Sequence, residues 1–180
     1  MQYLFMLLFA AGAVGLDQIV KFLVVANIPL HGEIAVIPGL MHLTYARNTG
    51  AAFSMLQGQQ WLFAIIFGIF TAVIIWEFKK DTLKLTTFDR WCIVAVWAGG
   101  LGNMIDRLRL GYVVDMFETE FITFPVFNVA DCFITCGAIA MIVHLVFCNK
   151  EFWKDGKKCS STLTPPESGW TLFWHDAPKI

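Results

Sequence analysis

Residues 111–117 read GYVVDMF and residues 127–133 read FNVADCF. Each motif places one aspartate, Asp115 or Asp131, beside a long apolar run. The short stretch between them returns the chain to a membrane edge it has just left. An ionisable side chain at a membrane is costly and marks a functional site by default. Two that converge on one face of a bilayer predict acid–base chemistry.

Working outward, four segments approach the roughly 20 apolar residues needed to cross a ~30 Å hydrocarbon core. They are Tyr3–Ala26, Trp61–Phe78, Trp91–Leu108 and Phe127–Cys148. With 57% hydrophobic residues and a mean hydropathy of +0.64, the 180-residue chain is too apolar for an ordinary soluble domain. The expected fold is an all-α polytopic membrane protein: residues 1–150 form one four-helix domain, and 151–180 a short cytoplasmic tail.

Basic residues orient it. Lys79, Lys80, Lys84 and Arg90 lie between the second and third helices, and Lys150, Lys154, Lys157, Lys158 and Lys179 in the tail. The 27–59 and 109–126 segments hold only Arg47 and Arg109. The positive-inside rule then puts both termini in the cytoplasm and the two aspartates at the outward face. LFAAGAVG, at residues 8–15, has the small residues of a cleavage site. No Lys or Arg precedes it, and the apolar run resumes after Lys21, so a retained first helix is expected.

Residues 33–56 are apolar but broken by Pro38-Gly39, which suits strand–turn–strand better than a fifth helix. The first helix holds Asp17 and Lys21 at i, i+4, the order favourable for a helical ion pair. Either the pair seals two helices together or it faces a cavity; the two readings are compatible. In the third helix, Gly99, Gly100 and Gly102 suit close packing. Asn103, Asp106 and Arg107 follow, more polar groups than packing requires. Asn128 suits an N-cap, and Asp131, one turn in, would be stabilised as an anion there. His144 reads as a packed core residue.

Five cysteines stand at 92, 132, 136, 148 and 159 without metal-ligand spacing. Cys132 and Cys136, one turn apart in an apolar helix, read as small hydrophobes. There is no HExxH and no GxSxG, and GGLGN at 99–103 lies inside a membrane helix without strand context. No basic patch supports nucleic-acid binding. Two carboxyls sharing a proton need neither metal nor cofactor. The competing reading is a small polar-cavity membrane carrier or binding subunit, in which Asp17, Lys21, Asp106 and Arg107 are structural.

DQIVKFLV (17–24), ARNTGAAFSML (46–56), GGLGNMIDRLRLGYVVDMF (99–117) and FNVADCFITCG (127–137) together resemble bacterial lipoprotein signal peptidase, signal peptidase II, in order and spacing. The resemblance spans residues 16 to about 137 and implies an inner-membrane aspartyl endopeptidase. Its substrates would be diacylglyceryl-modified prolipoproteins, cleaved just before the lipidated cysteine. It implies Asp115 and Asp131 as the dyad, with support from Asp17, Lys21, Asn48, Gly99, Asn103, Arg107 and Asn128. It also implies that segment 33–56 forms a small extracytoplasmic β-sheet cradling the substrate, with membrane lipid around it. A monomer would suffice for such a site. The Cys132-Phe133 pair departs from the smaller or polar residues common after the second aspartate, and could reshape the wall of the site.

Overall fold

The computed structural model describes residues 1–50 and 59–148 of the chain. The elements run α1 Gln2–Asn27, β1 Glu33–Ile37, β2 Met41–Asn48, α2 Gln60–Lys80, α3 Thr87–Leu110, β3 Val113–Thr119 and α4 Val129–Phe147. The tail at 151–180 and the 51–56 end of the expected β segment lie outside the described residues.

Among the described residues three helices, α1, α2 and α4, are long and apolar enough to cross a membrane by length and composition alone. The fourth, α3, has 24 residues, about 36 Å at 1.5 Å per residue. Its composition is too polar to pass that test, because Asp106 and Arg107 sit near one end and Asp89 and Arg90 near the other. Those near Leu110 are spent on protein rather than lipid. Asp106 is 3% exposed and pairs with Lys21 of α1. Surrounded by the other three helices, α3 can carry charge that a lipid-facing helix cannot.

Small residues let α3 sit close to its neighbours. A Cβ added at Gly99 would lie 2.4 Å from the Ala130 carbonyl oxygen of α4, and one at Gly102 would lie 2.6 Å from an Asp17 carboxylate oxygen of α1. Met6, Ala10, Ala13, Val94 and Ala98 form the apolar core beneath. Phe67 of α2 stacks on Trp97 of α3, whose indole N–H donates to Thr71.

The expected strand–turn–strand is present as β1 and β2, joined at Pro38-Gly39. Gly39 has φ +76°, and the Leu40 N–H donates to the Ile37 carbonyl at 3.0 Å. Proline first and a left-handed glycine second is the requirement of a type II turn. A third strand was not anticipated. β3 pairs antiparallel with β2 to give the order β1-β2-β3. Its residues Val113-Val114-Asp115-Met116-Phe117 carry the β-branched signal, but they follow a helix so closely that they read as a connection. His144 has a polar partner that its reading as a packed residue did not include. It lies in the last turn of α4, where its Nδ1 stands 2.7 Å from a carboxylate oxygen of fully buried Asp89. Its ring also packs against Phe88 of α3, with centroids 4.8 Å apart, so a polar α3–α4 contact is added to the expected packing, far along α4 from Asp131.

Candidate active site

Asp115 and Asp131 arrive from different elements. Asp115 is buried in β3, opposite Ala46 of β2 just past an irregularity in the register. The chain after β3 is then pinned back on itself: the Met116 and Phe117 N–H groups donate to the Phe127 carbonyl at 2.9 and 2.8 Å, and the Phe127 N–H donates to the Phe117 carbonyl at 3.1 Å. That clasp delivers Asn128 beside Asp115 and starts α4 there.

Asn128 is the expected N-cap. Its side-chain oxygen accepts from the Asp131 N–H at 3.0 Å, and an Asp131 carboxylate oxygen accepts from the Asn128 N–H at 3.1 Å, a reciprocal capping box. With its oxygen committed, the Asn128 amide donates outward, to Asp115 at 2.6 Å and to the Asn103 side-chain oxygen at 3.0 Å. Asn103 donates in turn to Asp131 at 2.8 Å. Asn48 completes the set. Its oxygen accepts from the Gly50 N–H at 3.0 Å, which turns its amide toward Asp115 at 2.9 Å.

Behind these amides sits Lys21. An ammonium has three donors, and all three have acceptors: Asp17 at 2.9 Å, Asp106 at 3.0 Å and the Asn103 oxygen at 2.9 Å. Lys21 and Asn128, donating to the same oxygen, together fix which end of the Asn103 amide faces Asp131. Asp17 accepts from the Ala130 N–H at 2.9 Å, satisfying one of the otherwise orphaned amides at the start of α4. The Asp17–Lys21 pair thus joins three helices, not two.

One cavity of about 700 Å³ opens over both carboxyls. Asn48, Asn103, Arg107, Asp115 and Asp131 line it, together with Phe124 to Phe127 and the α4 residues Cys132, Thr135 and Cys136. Arg107 donates to the Gly50 carbonyl at 3.0 Å and lies over the Phe63 ring; its buried Nε–H has no partner among the described residues. Burial pushes the Asp115 carboxyl up to about 6. Its hydrogen bond from Asn48 pulls the other way, and the Asp131 charge adds to the rise. Two carboxyls in one cavity, one held above the usual carboxylate range, can present an acid and a base to the same substrate.

The residues matching the model for signal peptidase (SPase) II run from 9 to 147, taking in most of α1, the other three helices and the sheet. The chain belongs to the signal peptidase II family. It is 45% identical over 153 residues to the lipoprotein signal peptidase of Enterococcus faecalis, covering 83% of this chain and 92% of that one. It is 46% identical over 134 residues to that of Latilactobacillus sakei, covering 74% and 88%. Among solved structures it resembles a bacterial membrane enzyme determined in meso at 2.3 Å, with TM-score 0.73, 32% identity and coverage of 90% and 93%. Membership makes it a membrane-embedded aspartic peptidase, and the carrier reading is not favoured.

Of the residues singled out from the sequence, Asn48, Asn103, Arg107, Asp115 and Asp131 share the cavity wall. Asn128, Lys21 and Asp17 stand behind it. Gly99 is elsewhere, at the α3–α4 contact. Three participants were missed or left open. Asp106 is buried: it accepts from Lys21, from the Val114 N–H at 3.1 Å and from Gln18 at 2.9 Å, tying β3 to α1 and α3. Gln18, beside Asp17 in sequence, was not singled out; its amide also donates to the Gly102 carbonyl at 3.2 Å. Gly102 supplies the room for Asp17. The only sequence signal for them was the i, i+3 spacing of Asn103 and Asp106 on a glycine-rich helix.

Proposed function

We propose that Asp115 and Asp131 are the catalytic pair of an endopeptidase that removes the signal peptide from diacylglyceryl-modified prolipoproteins, cutting before the lipidated cysteine. The observation that carries this reading is the common cavity, in which each carboxyl is held by amide donors. One carboxylate takes a proton from water as the water oxygen attacks the scissile carbonyl carbon. The other, protonated, gives its proton to the carbonyl oxygen. The tetrahedral intermediate then collapses: its C–N bond breaks, the nitrogen takes a proton from the pair, and a hydroxyl proton of the intermediate returns to the pair.

In this reading Asn48, Asn103 and Asn128 are positioning residues for the two carboxyls, with Lys21 and Asp17 holding Asn103 and the start of α4. Arg107, whose guanidinium presents fixed donors, binds the substrate backbone. Gly99 keeps α4 against α3. Residues 1–150 form the peptidase domain and 151–180 a cytoplasmic tail. The site opens at the outward face of the bacterial inner membrane, with both termini cytoplasmic. A signal peptide that is itself a membrane helix brings its cleavage site there, while the acyl chains stay in lipid; a monomer suffices.

The test is cleavage of a diacylglyceryl-modified prolipoprotein and its unlipidated counterpart by purified protein in detergent. Lipid-dependent cleavage lost in both Asp115→Asn and Asp131→Asn, with both variants folded, is the expected result. Near-normal turnover by either variant removes that residue from the pair.

A further inference from the structure

The catalytic reading makes no use of two thiols in the cavity wall. Cys132 and Cys136 are both free, both exposed and both part of the cavity lining. They stand at i, i+4 on α4, so they share one helix face with Cβ atoms about 5–6 Å apart. Cys132 directly follows Asp131. Among the other described cysteines, Cys92 is buried, and neither it nor Cys148 lines the cavity.

We propose that Cys132 and Cys136 form a dithiol site inside the peptidase cavity for soft, thiophilic species that bind two sulfurs at one centre, trivalent arsenicals above all. Each sulfur swings about χ1 between staggered wells, which lets the pair close on a single atom. Sulfur ligands select soft centres over hard ones. Two protein donors suit an organoarsenical, which keeps its own carbon as a third substituent. Once the first As–S bond has formed, the second is intramolecular and gains from the high effective concentration of the neighbouring thiol.

The chemistry is a condensation. An organoarsenic oxide and two thiols give two As–S bonds and one water: the As=O oxygen leaves with both thiol protons. No electron is transferred, and no oxidant or reductant is required. The adduct occupies the cavity beside Asp131 and excludes substrate. This last step, the block of cleavage, rests on the proposed peptidase site; formation of the adduct does not.

The experiment treats the purified full-length chain with phenylarsine oxide. It reads the adduct by intact mass and cleavage by gel shift, in wild type and in Cys132→Ser, Cys136→Ser and Cys148→Ser. One arsenical per chain is expected in wild type and in Cys148→Ser. Cleavage should be lost there, and restored by excess 2,3-dimercaptopropanol but not by an equivalent monothiol. Cys132→Ser and Cys136→Ser should each show no dithiol-reversible adduct and keep their own untreated rates under the reagent. An unchanged adduct in either of those two variants, or none on folded wild type, overturns the site. An adduct that leaves cleavage untouched overturns its place in the substrate path. Absence of cleavage before treatment counts against the peptidase reading instead, while the mass readout still decides the dithiol.

Discussion

Asn48 shows how a single amide sets chemistry. Its bond to Asp115 favours the charged carboxylate, so it opposes the burial that raises this group to about 6. Asn48→Ala should slow cleavage and move the alkaline limb of its pH profile to higher pH, because Asp115 then keeps its proton longer. A limb that stays put or moves down would show that Asp115 does not carry that proton. Stability follows the same sign. The folded state binds this proton more tightly than the unfolded chain, so the contribution is full below the ordinary 3.8 and is lost as pH rises through about 6. Lys21 matters for a different reason. Lys21→Met would leave Asp17 and Asp106 buried without their shared counter-charge. Removing one partner from a buried ionic cluster costs about 3–5 kcal/mol. Thermal unfolding in detergent should show a large loss of stability, and Asn103 loses one of the two donors that orient it. An unchanged melting temperature would contradict this account of the Lys21 cluster.

Among the elements, α4 is fixed at its start. Its first turn is capped by Asn128, held by Asp17 from α1 and pressed against Gly99 of α3. The neighbour that a Gly99 side chain would strike is a backbone carbonyl, which cannot rotate away. Gly99→Leu should therefore push α4 off α3, separating Asp131 from Asn103. Both cleavage and thermal stability should fall; a variant that loses neither would mean that the helices tolerate a wider gap. Helix positions were legible because long apolar runs and interface aromatics are local signals: the expected 61–78 became Gln60–Lys80, and 91–108 became Thr87–Leu110. β3 was not legible, because a strand is defined by the partner it pairs with. Its partner β2 lies more than sixty residues away in sequence.

Across the whole molecule, the Lys/Arg asymmetry bears on orientation. A reporter fused after Leu83 should read as cytoplasmic and one inserted at Phe121 as outward; the opposite pattern would invert the proposed topology. The cost of placing charge and apolar length in a membrane is paid residue by residue, so composition, the membrane class and the four helices were written in the sequence by itself. The candidate site was partly written there too. Asp115 and Asp131 stand out because carboxyls beside apolar runs are expensive wherever they fall. Only the tertiary structure decided what surrounds them: that Lys21 gives its three donors to Asp17, Asp106 and Asn103, that Gly102 makes space for Asp17, that Asp106 holds β3 at Val114, and that Cys132 and Cys136 face a cavity. Those facts depend on distances between helices, set by packing and by buried hydrogen bonds seeking partners, and no local stretch of sequence contains them.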